Sequence, residues 1–157
     1  MDINTLAAWG EFLGGIAVVV SLVYLASQIR QNSRLLRTSA AATMGDADIA
    51  INSVLLGDTE LLRVFTEGLT NPESLSLPES GRFGMVMDTA MRAFHRSFVF
   101  ARGSGIDASL WETEVRSYSI VIRSAGGQRW WSTNRSIFSD EFGEFLDGLI
   151  REGEAAG

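Results

Sequence analysis

The 157 residues, 46% of them apolar and 20% charged with only two prolines, suffice for one compact domain and argue against disorder. With no cysteine and one histidine, His95, the chain cannot build disulfides, thiolate nucleophiles, iron–sulfur clusters or an ordinary zinc cage. All 13 cations are arginine, which excludes lysine Schiff bases and a P-loop, and a net charge of −6 speaks against a general nucleic-acid binder.

The first element in chain order is also the most informative. Phe12 to Ile29, FLGGIAVVVSLVYLASQI, carries no charge, and its 18 residues cover roughly 27 Å as a helix, close to the ~30 Å of a bilayer core. A helix buried in a soluble core is the competing reading, but a chain this short leaves little protein to surround one. A cleaved signal peptide fits worse, because Asp2 and Glu11 precede the stretch and no clear small-x-small cleavage site follows Leu25. The sequence therefore predicts a transmembrane helix over 1–30. Arg30, Arg34 and Arg37 follow it and no arginine precedes it, which places the N-terminus outside and the bulk of the chain in the cytoplasm, with these three near lipid headgroups. Ala7, Gly10, Gly14, Ala17 and Ser21 fall at steps of three and four on one stripe, a packing face for another transmembrane helix, from a second copy or a partner protein.

No strong breaker occurs between this segment and Gly57, so the helix is expected to continue as a stalk over 31–57. Leu22, Leu25, Ile29 and Leu36 give it only a short heptad-like seam. A helical bundle is predicted over 58–152, with a frayed tail at 153–157. Asp58 caps a helix bearing Leu61, Phe65 and Leu69, which ends at Asn71–Pro72. Ser76 and Glu79 form a capping-box pattern that opens a helix to about Arg102, with Phe83, Met87, Ala90, Phe94, Phe98 and Ala101 on one face. Asp107 opens the next, with Trp111, Val115, Tyr118 and Ile122, expected to stop at Gly126 and Gly127. A short helix or turn holds Trp130 and Trp131, and Ser139 caps a last helix with Phe142, Phe145 and Leu149. The fold class is all-α.

Candidate chemistry is thin. His95 shares a helix side with Asp88, but seven residues place them about 10 Å apart along the axis, too far for a direct hydrogen bond. A single imidazole can serve as an axial haem ligand, but a structural histidine is the simpler reading. Gly103, Ser104 and Gly105 lack the strand and the full pattern of a nucleophile elbow. Glu112 with Glu114, and Asp140, Glu141 and Glu144, read as solvated faces and helix-start charges. No catalytic, cofactor or metal residue is assigned; Trp130 and Trp131 are candidate interface anchors if either is exposed.

The succession SLVYLASQIRQNSRLLR, GDTELLRVFTEGL, RFGMVMDTAMRAFHRSF, LWE, GGQRWW and IFSDEFGEFLD resembles a family of uncharacterised bacterial proteins with one N-terminal span and an α-helical cytoplasmic domain. The resemblance covers nearly the whole chain and implies a bacterial inner-membrane protein, but supplies no activity. The expected function is non-enzymatic assembly, as a homo-oligomer or an accessory subunit of a membrane complex. The alternative is a membrane-tethered sensor whose aromatic bundle encloses an apolar ligand.

Overall fold

A computed structural model describes the backbone of residues 3–104 and 107–155, and their side chains except at 3–14, 16, 17, 34, 36–45, 47, 48 and 104. The described residues are helical, with no strand among them: α1 (Ile3–Gly57), α2 (Thr59–Thr70), a 3-10 turn (Pro72–Ser74), α3 (Leu77–Ser104), α4 (Ala108–Arg123), α5 (Ala125–Asn134), a second 3-10 turn (Arg135–Ile137) and α6 (Asp140–Ala155). Two compact units divide the chain, Met1–Ser39 and Ala40–Gly157, so the boundary falls inside α1 and not at either end of the expected stalk.

The first unit is the N-terminal part of α1. Its described side chains from Val18 to Ser33 are all exposed, including Val18, Val19, Val20, Leu22, Val23, Tyr24, Leu25 and Ile29, each more than half accessible. Among the described residues, no helix is long and apolar enough to cross a membrane. The span expected from sequence includes residues 12–14, 16 and 17, whose side chains lie outside the described set.

In the second unit each helix start has a local cause. The Asp58 carboxylate accepts from the amides of Glu60 and Leu61 at 3.0 Å, satisfying two of the donors that a helix N-terminus leaves open. Asp107 does the same for Ser109 at 2.9 Å. At the head of α3, the Glu79 carboxylate reaches back to the Ser76 amide at 2.8 Å, one half of the expected capping box, with Pro78 in the first turn. Ser139 stands at the N-cap position of α6, its carbonyl accepting from the Gly143 amide at 2.9 Å, while its hydroxyl is turned to His95.

The core lies between α2, α3, α4, α5 and α6. Phe94 of α3 is fully buried at its centre, stacked on Tyr118 at 4.4 Å between centroids and 4° between planes, and edge-on to Phe142 at 5.7 Å. Phe98, Trp111 and Phe145 extend the cluster, while Met87, Met91, Ile122, Leu146 and Val64 fill the spaces between rings.

The expected helix stop at Gly126–Gly127 is corrected. α4 ends at Arg123, Ser124 caps α5 by accepting from the Gly127 amide at 3.0 Å, and the two glycines form the first turn of α5. A Cβ at Gly126 would stand 1.8 Å from the Gly68 carbonyl oxygen, and one at Gly127 would stand 2.1 Å from that of Val121. These glycines let α5 lie directly on the backbones of α2 and α4, a close approach that the sequence presents in the same form as a helix terminator. Nor does the tail start at 153: α6 continues to Ala155, with Arg123 of α4 donating to the Leu149 carbonyl at 2.7 Å.

Candidate functional site

An apolar groove of about 520 Å³ opens in the second unit between the end of α1, the start of α2 and the middle of α3. Ala50, Ile51, Val54 and Leu55 form one wall, Leu61 the floor, and Met85 and Val86 the other wall, with Asp58, Arg82 and Thr89 as its polar members. Asp58 is committed to capping α2, and Thr89 donates to the Met85 carbonyl at 2.9 Å. Arg82 makes no ion pair among the described residues. A second, smaller opening of about 220 Å³ lies against Ile51, Asn52, Leu55, Phe65, Ala90, Ser117, Tyr118 and Val121, so Ile51 and Leu55 border both.

Sequence reading missed this groove, although a signal was present. Ile49, Ile51, Val54, Leu55 and Leu56 carry more apolar surface than one helix face can bury, and Met85 falls off the α3 core stripe. The structure buries only Leu55 of the five, and leaves Met85 and Val54 exposed at the groove mouth.

The residues singled out by sequence are placed as follows. Ala7, Gly10, Gly14 and Ala17 of the small-residue stripe lie outside the described side chains, and Ser21 is exposed. Arg30 is exposed, and the side chains of Arg34 and Arg37 are likewise outside the described set. Trp130 and Trp131 are corrected as interface candidates, since both are buried. The Trp131 indole donates to Asp147 at 2.8 Å, and Arg135 donates to the other oxygen of that carboxylate at 2.9 Å, locking α5 onto α6. Burial pushes the Asp147 carboxyl up, but the hydrogen bonds from Trp131 and Arg135 outweigh it and hold the group below its ordinary value. Neither ring is therefore free for a partner.

His95 is half-buried, its ring 4.6 Å from that of Phe142 and its Nε2 3.0 Å from the Ser139 hydroxyl, while Asp88 is paired with Arg92 at 2.8 Å. Desolvation, aided by the nearby Arg92 charge, lowers its basicity, so the neutral ring is favoured. These contacts join α3 to the head of α6 and bring a hydroxyl within hydrogen-bond reach of an imidazole, but among the described residues no carboxylate orients the ring, since Asp88 is held by Arg92. Glu114 differs from the solvated face expected of it, being buried and accepting from Ser97 at 3.3 Å, whereas Glu112 stays exposed. Glu141 pairs with Arg102 at 3.0 Å. Among the described residues, no group of three His, Asp or Glu side chains is placed to hold a metal ion.

On the rim of α2 and α3, Arg63 pairs with Glu60 and Glu67, each at 2.7 Å, and also with Glu79. Hydrogen bonds from the Ser76 hydroxyl and amide, with the Arg63 guanidinium, bring the Glu79 carboxyl down to about 2. This cluster ties the two helix starts beside the groove and is fully occupied with that task.

No family model matches the chain, and the searches of curated proteins and solved structures returned no match.

Proposed function

We propose that the chain is a non-enzymatic, single-pass membrane protein that mediates assembly, with the α2–α6 bundle on the cytoplasmic side. One observation carries this reading: from Val18 to Ile29 every side chain of α1 is exposed, all around the helix, and none is charged, the polar members being confined to Ser21, Tyr24, Ser27 and Gln28. Burying eight such large apolar side chains is worth about 1.5–3 kcal/mol each. Even discounted for partial exposure, the forgone stabilisation is on the order of 10 kcal/mol, comparable with the whole stability of a domain. A bilayer removes that cost, and the uncharged run from Phe12 to Ile29 has the length for it. Arginine-only flanking on the C-terminal side supports an outside N-terminus, and the stripe from Ala7 to Ser21 supports a neighbouring helix as partner.

The test is fractionation followed by mass measurement in detergent. The chain is expected to sediment with membranes, resist high-salt extraction, and form an assembly that Gly10→Leu with Gly14→Leu dissociates. Monodisperse behaviour in buffer without any amphiphile overturns the reading.

A second reading, a tethered domain that binds a small apolar molecule, is favoured by the groove at Val54, Leu61 and Met85, whose volume lies in the roughly 300–1,000 Å³ range of ligand pockets. The bundle interior does not serve it, because Phe94, Phe98, Trp111, Tyr118 and Phe142 fill that space with one another. Displacement of a hydrophobic dye from the purified chain, lost in Val54→Asp, tests it.

A further inference from the structure

The end of α1 within the second unit is held differently from every other helix of the bundle. Over residues 49–57 Leu55 is buried and Ile51 half-buried, while Ile49, Ala50, Asn52, Ser53, Val54, Leu56 and Gly57 are exposed. No side-chain hydrogen bond or ion pair ties these nine described residues to the rest of the unit. Openings of about 520 and 220 Å³ flank the two anchoring side chains, one on each side, so the bed beneath the helix is incompletely filled. Both openings reach the surface, so the helix is held along a narrow strip through Ile51 and Leu55, and a segment with so few buried apolar contacts is held below the strength of the core. The joint to the bundle is Gly57, where a Cβ would meet nothing within 4 Å, followed by Asp58 in an extended conformation. No close approach requires glycine there, and what it contributes is backbone freedom between two helices.

We propose that residues 49–57 are a hinged arm: Leu55 latches it over α2, α3 and α4, Gly57 is the pivot, and release uncovers Leu61, Phe65, Ala90, Tyr118 and Val121 while α2–α6 stays folded. The centre of the aromatic core is expected to persist in the released state, since Phe94, Phe142, Met87, Ile122 and Leu146 all belong to α2–α6 and none of them lines either opening beside the arm. This inference rests on neither reading of the function given above.

The absence of cysteine supplies a clean test on the full-length chain in mild detergent. Ala90→Cys places a thiol beneath the arm, and Ala93→Cys, one turn away on α3 and equally buried, reports only opening of the bundle. The thiol of Ala90→Cys is expected to react with a maleimide faster than that of Ala93→Cys. Adding Leu55→Ala should speed the first about five- to thirty-fold and leave the second unchanged, the factor expected for losing about one to two kcal/mol of anchoring. Gly57→Ala, which the joint accommodates, should slow the first several-fold by stiffening the pivot. Equal rates at both positions, or equal acceleration of both by Leu55→Ala, make the arm part of one cooperative core and overturn the proposal. Labelling at Ala90→Cys that ignores Gly57→Ala overturns it as well, since reagent then enters through the smaller opening without any movement.

Discussion

Residues 18–29 and the α2–α6 bundle are both helical and both rich in large apolar side chains, yet they treat those side chains in opposite ways. In α3, Phe83, Met87, Ala90, Phe94 and Phe98 are buried while Arg82, Met85, Arg92 and Arg96 are exposed, so the 3.6-residue period separates inside from outside. Along Val18–Ile29 burial separates nothing: the apolar side chains and the few polar ones, Ser21, Tyr24, Ser27 and Gln28, are all exposed alike. Amphipathicity records a boundary between core and water. On the membrane reading proposed above, these exposed apolar side chains belong to one apolar medium supplied from outside the fold.

The largest effect expected from this contrast is on location. Val19→Arg combined with Val23→Arg puts two charges near the middle of the uncharged run, at about 5 to 7 kcal/mol for a lipid-embedded helix. The double variant should move from the membrane pellet to the supernatant, while the far-ultraviolet helix signal of the bundle persists. If it still pellets and still resists salt, lipid is not what surrounds these residues. The matching change in the bundle, Phe94→Ala, removes the ring stacked on Tyr118 and Trp111 and should cost about 3–5 kcal/mol, read as a lower urea midpoint, with membrane attachment retained. Together the two variants separate attachment from folding, and a shared phenotype would erase the distinction between the regions.

How legible each region was in the sequence follows from the same contrast. The bundle helices could be read because period, caps and breakers agreed: Asp58 and Asp107 cap as their positions suggest, and Phe94, Phe98, Tyr118, Ile122 and Phe142 are core. Reading failed where a residue's role depends on a distant neighbour. Gly126 and Gly127 carry the sequence signature of a helix end, and only the Gly68 and Val121 carbonyls standing where their side chains would be make them the start of one. Trp130 and Trp131 qualify as interface anchors only if one of them is exposed, but both are buried, and a half-buried Asp147 gives the Trp131 indole its partner. The groove escaped notice because it is a gap between three elements, and periodicity describes one element at a time. Gly126→Ala tests the close approach: forcing a methyl against the Gly68 carbonyl should cost about 1–3 kcal/mol, visible as a lower thermal midpoint. Gly148→Ala, open around its Cβ, should be neutral or mildly stabilising on α6.

The smallest expected effect concerns the α3–α6 contact at His95. Burial and the Arg92 charge lower its folded-state basicity below the ordinary value of 6.5, so the unfolded chain binds a proton more readily there than the folded one. Stability contributed by the neutral ring is therefore present above pH 6.5 and is lost as pH falls through the lower folded value, where folding must hold a charged imidazolium against Phe142 and beside Arg92. Glu79 and Asp147 act further down, since both carboxyls are held below their ordinary values and lose their stabilising charge only in stronger acid. Urea midpoints measured at about pH 7.5 and about pH 5.5 isolate the histidine from the carboxylates. The wild-type midpoint should fall modestly over this interval, and His95→Gln, which keeps a polar group within reach of Ser139 but cannot titrate, should flatten the difference. A variant that keeps the full pH dependence would mean that the proton is taken up elsewhere, and that α3 and α6 meet at His95 through shape alone.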